Sequence, residues 1–265
     1  MRRTVSAAFD LDVTADADLV LAVAVARLPG LAVEERLQVR QDGRDLPLEE
    51  LTEATGTRLH LAHAGVGPVA VRYEAQAEGR AEPVPVDPLD LIAHRRPSRY
   101  SESDQLLATA QAEFGGLAGK ALLDAVSSWV GARLSYVPGS SRPTDGATET
   151  WLARAGVCRD YAHLVVALLR ALDVPARLVA VYAPGLDPMD FHAVAEAFVE
   201  DAWHVVDATA LAPRGTLLRI ATGRDAADTA FLTTIGGGVD FLRMRVTAVA
   251  DALPDDDVTA LVRLG

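Results

Sequence analysis

A single cysteine, Cys158, stands among 265 residues, which excludes an internal disulfide framework and a cysteine-rich zinc site. Basic residues are the scarcer charge: 25 Lys and Arg face 37 Asp and Glu, for a net charge of −12. Nucleic acid and anionic lipid are bound through clustered Lys and Arg, so neither is an expected partner. Long apolar runs are missing too. The run Leu19–Ala26 falls far short of the roughly 20 residues that cross a bilayer, and it reads as a buried strand. Asp10 and Asp12 interrupt what an export signal would need as its apolar stretch, so the chain is expected to be cytoplasmic. Gly236-Gly237-Gly238 reads as a loop, not as a phosphate-cradling turn between strand and helix. What is abundant is apolar: half of the residues are hydrophobic, enough to fill the core of one large or two modest domains.

Along residues 1–80 the pattern is that of strands. Val5, Ala7, Phe9, Leu11 and Val13 alternate with more polar positions, the period of a half-buried strand. Leu19–Arg27, Leu37–Gln41, Arg58–Ala62 and Pro68–Ala75 are further candidates, separated by glycine-bearing turns. Short strands at this spacing predict a small β-sandwich. Residues 81–99 carry Pro83, Pro85, Pro88 and Pro97 and read as a linker. From residue 100 helical spacing takes over, with helices expected over Ser101–Phe114, around Leu122–Arg133, near Glu149–Arg154, and from Cys158 to Leu172. Strands return at Arg177–Tyr182, His192–Val199, Trp203–Asp207, Leu217–Ile220 and Phe241–Val249.

The chemistry gathers around the lone thiol. An isolated cysteine is most often a small buried hydrophobe. Cys158, however, follows Gly156-Val157 at the first turn of a helix, where unpaired amides and the helix dipole stabilise a negative charge. A nucleophilic thiol needs a base, and the base an orienting acceptor. His60, His63 and His94 fall in the amino-terminal strands and the linker, and read as surface residues. His163 points away, roughly 140° around the helix from Cys158. His192 and His204 remain, and strand parity separates them. If Glu200-Asp201 is the turn of a hairpin, Val194 opposes Asp207, and His192 is the diagonal neighbour of Asp207 on the same face, about 7–8 Å away between alpha carbons. His204 then opposes Ala197 and faces the other side. The candidate catalytic residues are therefore Cys158, His192 and Asp207. Arg159, Asp160 and Tyr161 border the thiol as candidate substrate-binding residues, with helix capping and packing as an equally good account. A local ion pair is the plainer reading of Arg224, Asp225 and Asp228.

These blocks resemble the transglutaminase-like superfamily, in particular its bacterial members. The run from Gly156 to Leu164 resembles the nucleophile signature, and Leu168 to Arg177 its continuation from helix to strand. His192-Ala193 with Glu196 resembles the histidine strand, and Trp203 to Thr209 the strand that ends in the third member. Pro97–Asp104 and Arg219–Asp228 resemble flanking segments. The resemblance implies an α+β fold: a papain-like, transglutaminase-like catalytic core of helices packed on an antiparallel sheet over 100–265, behind the β-sandwich of 1–80. It also implies acyl transfer on amide bonds through a thioester, either peptide or isopeptide hydrolysis or glutamine transamidation, on a peptide or protein substrate. No cofactor and no metal is implied. Two departures stand out: Val194 occupies a position that is commonly Trp, and Ala208 one that is frequently Pro. The first keeps open a second reading, a catalytically silent binding or scaffold module with the same fold.

Overall fold

In the computed structural model, residues 1–83 and 85–265 are described, so that Val84 of the linker lies outside the described residues. The chain begins with seven strands: β1 (Arg2–Ala15), β2 (Ala17–Leu21), β3 (Leu31–Gln41), β4 (Arg44–Asp45), β5 (Glu49–Thr52), β6 (Arg58–Ala64) and β7 (Gly67–Gly79). Helices α1 (Pro88–Ala93), α2 (Leu107–Phe114) and α3 (Gly119–Arg133) follow. Next come β8 (Ser135–Tyr136), α4 (Ala147–Ala153), β9 (Ala155–Gly156) and the central helix α5 (Cys158–Ala171). The chain closes with β10 (Ala176–Tyr182), β11 (Phe191–Val199), β12 (Ala202–Val206), β13 (Leu218–Gly223), α6 (Ala226–Thr229), β14 (Leu232–Ile235) and β15 (Gly238–Ala250).

Alternation in β1 does what its sequence period requires. Val5, Ala7, Phe9, Leu11 and Val13 all face inward, where they meet Val69, Val71 and Tyr73 of β7 and Leu19, Leu21, Ala62 and Ala64 of a second sheet. The two sheets, ordered β15-β1-β7-β3-β4 and β14-β2-β6-β5, form a sandwich around that core. The strand expected over Leu19–Arg27 ends at Leu21. Residues 22–26 remain buried but leave the ladder and thread between layers. Their backbone groups are satisfied from outside: Tyr73 Oη accepts from the Val25 N–H at 2.9 Å, Arg58 donates to the Val25 carbonyl, and Tyr182 Oη donates to the Val23 carbonyl at 2.8 Å.

Two expected boundaries shift. The carboxy-terminal part does not stay with the helices from residue 100 onward, because β15 pairs with β1 and β14 with β2, returning the chain to the sandwich. Nor is 81–99 a bare linker. Asp87 caps α1 there by accepting from the Leu89 N–H, and the His94 carbonyl accepts from the Ala176 N–H at the start of β10.

The α+β half is a four-stranded antiparallel sheet, β12-β11-β10-β13, covered by α5. Leu164, Val165 and Leu168 of α5 pack on Ala195 and Ala197 of β11 and on Val206 of β12, while Val126, Trp129 and Val130 of α3 close the other side. The sequence suggests an amphipathic α5, yet every residue from Asp160 to Arg170 is buried. Polar groups of Arg170 and His163 are met from several chain segments. Arg170 donates to the carbonyls of Arg96, Ala176 and Arg224 and to Ser98 Oγ, and His163 Nε2 accepts from the Ala226 N–H. Ser98 and Ala226 lie in the flanking segments that looked family-like in sequence, and both segments contribute to meeting the polar groups of α5.

Candidate active site

Cys158 is the first residue of α5, preceded by Val157 in an extended conformation. Gly156 is needed at this turn: a Cβ there would lie 2.6 Å from the Cβ of Asp160. That close approach lets the Asp160 carboxylate fold back and accept from the Val157 N–H at 2.8 Å. Asp160 also accepts from Ser141 Oγ at 2.6 Å and pairs with Arg159, whose guanidinium donates to the Arg142 carbonyl. Arg159 and Asp160 thus pin the 141–142 loop to the helix start. Asp160 is fully buried, and Tyr161 packs in the helical core beside Tyr136. Arg159, a quarter exposed, and Asp160 are engaged in holding the helix start, and Tyr161 is buried. The thiol itself is half-buried.

The hairpin that supplies the imidazole and the carboxylate has the expected register. Val199 opposes Ala202 and Ala197 opposes His204. Glu200 and Asp201 form the turn with φ of 51° and 59°, the left-handed pair of a two-residue hairpin. His192 Nε2 lies 2.9 Å from Asp207 Oδ2, and both side chains are sealed from solvent. The other oxygen, Asp207 Oδ1, accepts from the Thr209 N–H at 2.9 Å and from its hydroxyl at 2.6 Å, fixing the carboxylate plane. Among the described residues Nδ1 of His192 has no hydrogen-bond partner, and the Cys158 thiol approaches the ring.

Electrostatics favour an imidazolium. Burial opposes charge on His192, but the hydrogen bond and negative charge of Asp207, helped by Cys158, outweigh it and raise the ring to about 10. Burial likewise opposes charge on Asp207, yet His192 and Thr209 hold it below the usual carboxylate range. His204 sits on the opposite face, buried.

Other histidines differ from expectation. His60 and His94 are buried, not superficial: His60 is paired with Glu50, and His94 lies edge-on to Trp203 and is pushed down to about 3, chiefly by burial. Trp129 donates to Glu113 and stacks on Trp151 within the helical core. Tyr136, which from sequence is better explained by core packing, lies next to the thiol. Paired with Gly156 in a two-residue parallel ladder, it carries its hydroxyl beside the thiol and the backbone N–H of Cys158. Burial and the charge of Cys158 push that hydroxyl up to about 12. A two-residue ladder has no periodicity to read, so the sequence marks Tyr136 only as a weak candidate for an oxyanion donor.

Val194 is buried with Val179, Val181, Val205 and Leu217. In this chain the position packs the interior. A cavity of about 350 Å³ lies at the far end of the same sheet face, lined by Arg177, Glu196, Trp203 and Arg219. It contains neither Cys158 nor His192, and Arg177 and Arg219 are already committed to the buried Glu196.

The fold and this constellation define an α+β protein in which a helix-terminal thiol faces a histidine held by a buried carboxylate. Residues 106–208 match the transglutaminase-like superfamily. A solved structure from Cytophaga hutchinsonii, provisionally assigned as a cysteine protease, is 32% identical, with a TM-score of 0.87 over 99% of this chain and 94% of that chain. The chain belongs to the transglutaminase-like superfamily. The uncharacterized protein ML0607 of Mycobacterium leprae is 27% identical over 122 residues, and that match spans 44% of its length and 43% of this chain. The periplasmic domain of TgpA from Pseudomonas aeruginosa is a looser likeness, 19% identical with a TM-score of 0.42 over 77% of this chain and 90% of that domain. Among the described residues, no helix is long and apolar enough to cross a membrane.

Proposed function

We propose that this chain is a cysteine-dependent acyl-transfer enzyme acting on amide bonds of a peptide or protein, with Cys158 as nucleophile, His192 as acid and base, and Asp207 as the group that orients it. The observation that carries the reading is the 2.9 Å contact between His192 Nε2 and the buried Asp207 carboxylate, which leaves Nδ1 free for a thiol at a helix N-terminus.

The steps follow from these positions. The Cys158 thiolate, paired with the His192 imidazolium, attacks the amide carbonyl carbon. The oxyanion takes hydrogen bonds from the Cys158 N–H and the Tyr136 hydroxyl. The C–N bond breaks as Nδ1 gives its proton to the departing amine, leaving a thioester on Cys158 and a neutral imidazole. Water, losing a proton to Nδ1, attacks the thioester. The C–S bond breaks, the acid departs and the ion pair is restored. An amine in place of water gives transamidation by the same atoms. Hydrolysis of a peptide or isopeptide bond is the preferred reading, because water needs no second binding site. The proposal includes a cytoplasmic setting, where an unpaired thiol is kept reduced.

Capture of the acyl group on Cys158 from a library of amides, read by mass spectrometry of the intact protein, tests it. A hydroxylamine-labile adduct that is absent from Cys158→Ala and strongly reduced in His192→Ala supports the proposal. Folded protein that forms no adduct with any amide refutes it.

A further inference from the structure

Where a sheet ends in a free edge, backbone groups are left for another chain to meet. The sandwich sheets are bounded by β15 and β4, and by β14 and β5. β4 is two residues long, and β5 and β14 are four, whereas β15 runs for thirteen. A bulge at Leu242 breaks the start of β15, but from Arg243 to Ala250 its register with β1 is regular. That stretch contains no proline. Residues of an antiparallel strand turn their backbone groups alternately to one side and the other. The Asp251 N–H donates to the Arg2 carbonyl next to the pairing of Arg3 with Ala250, which sets the phase. Arg243, Arg245, Thr247 and Val249 therefore turn their N–H and C=O groups to β1, and Met244, Val246, Ala248 and Ala250 turn theirs outward. Among the described residues, no backbone hydrogen bond meets the outward groups of these four.

The edge is complementary to a second copy of itself. With Thr247 on a two-fold axis, Met244 opposes Ala250 of the other copy and Val246 opposes its Ala248, so all four outward residues find partners at once. Moving the register by one hydrogen-bonded pair in either direction leaves one of the four unmatched, and placing Arg245 on the axis sets it against itself. In the matched register the outer side brings Thr247 to Thr247 and Arg245 to the exposed Val249, whose surface the arginine stem covers. Arg243, already paired with Asp10, comes to face Asp251 of the other copy, so the charges at both ends of the stretch are opposite. On the inner side the buried Val246 and Ala248 carry the apolar interior across the axis. We propose that β15 is a homodimer interface, joining the two five-stranded sheets into one continuous sheet. Each copy has one such edge, the far edge being the two-residue β4, so the pairing closes at two.

Sedimentation velocity of the full chain from about 0.1 to about 100 μM tests this, a span that covers weak and tight homodimers. The expected species has twice the 28.1 kDa mass of the chain. Val249→Arg places an arginine opposite Arg245 at two points across the axis, and should weaken the dimer about tenfold. Both positions are exposed and four residues apart on one strand, so within a single copy the new charge meets no neighbour on β15. Adding Arg245→Glu to Val249→Arg turns each repulsion into an ion pair and should restore the dimer. A chain that stays monomeric throughout the range overturns the proposal. So does a dimer that Val249→Arg leaves unchanged, and so does one that the second substitution fails to restore, since positions 245 and 249 would then not face each other.

Discussion

Replacing Asp207 with Asn removes one charge from a buried pair and leaves its shape. In the native protein the ring of His192 is raised from 6.5 to about 10 against the effect of its own burial. A displacement of that size corresponds to about 5 kcal/mol in favour of the imidazolium, and most of it comes from the Asp207 charge and its 2.9 Å hydrogen bond. In Asp207→Asn burial dominates, so the ring should titrate at or below 6.5. Linkage fixes the sign for stability. A group raised on folding stabilises fully below its unfolded value, and that contribution is lost as pH rises toward 10. The native protein should therefore lose up to about 5 kcal/mol of stability between pH 6.5 and 10, an alkaline limb absent from Asp207→Asn. Histidine C–H resonances followed from pH 5 to 9 give the direct answer, with His192 identified by its loss in His192→Ala. A native His192 that titrates between pH 6 and 7, or one still protonated at pH 8 in Asp207→Asn, would refute the electrostatic account of the pair. The substitution should also slow acyl-enzyme formation on Cys158, because a neutral imidazole no longer pairs with the thiolate.

Glu196→Gln should destabilise the protein by about 3–5 kcal/mol in denaturant unfolding, since it leaves Arg177 and Arg219 buried without a counter-charge. Against the penalty of burial, the same two arginines hold Glu196 down to about 2, so its contribution is present above pH 4.5 and fades as pH falls toward 2. An acid limb of stability that is unchanged in Glu196→Gln would contradict this. Tyr136→Phe removes one of the two proposed oxyanion donors and should slow acylation of Cys158 by about 10²-fold, with iodoacetamide labelling of the thiol little changed. Equal losses in both assays would make Tyr136 a structural residue only.

How much of this was legible in the sequence depended on whether a signal was periodic. The turn at Glu200-Asp201 fixed parity over β11 and β12, and parity alone put His192 and Asp207 on one face and His204 on the other. The alternation of β1 and the helical step of α5 were equally plain. Where contacts came from irregular chain, the sequence was silent. Residues 22–26 look like a strand because they are apolar, but their backbone groups are satisfied by Tyr73, Arg58 and Tyr182, partners from 33 to 159 positions away. His60 and His94 read as surface residues because nothing local announces Glu50 or Trp203 as neighbours. Arg159 and Asp160 sit beside the thiol in sequence, and nothing local announces that they bind the 141–142 loop.

The amino-terminal sheets bear on the site through the same distant contacts. The sandwich core continues into Tyr182, Leu218 and Ile220 of the sheet that carries His192, so the two halves share one apolar interior. Polar ties cross the junction as well: Thr57 Oγ1 accepts from the Thr222 N–H, and the Arg219 carbonyl accepts from the Ala26 N–H. Arg219 in turn grips Glu196, which lies on β11 four residues beyond His192 and on the same face. A strand so held at one end by a buried ion pair, and backed by the sandwich through β10 and β13, has little freedom to slip. A slip of one residue would turn His192 away from both Asp207 and the thiol. The sandwich is thus part of what keeps the imidazole in register, and a substitution that loosens its contact with β13 should weaken the His192–Asp207 pair without touching either residue.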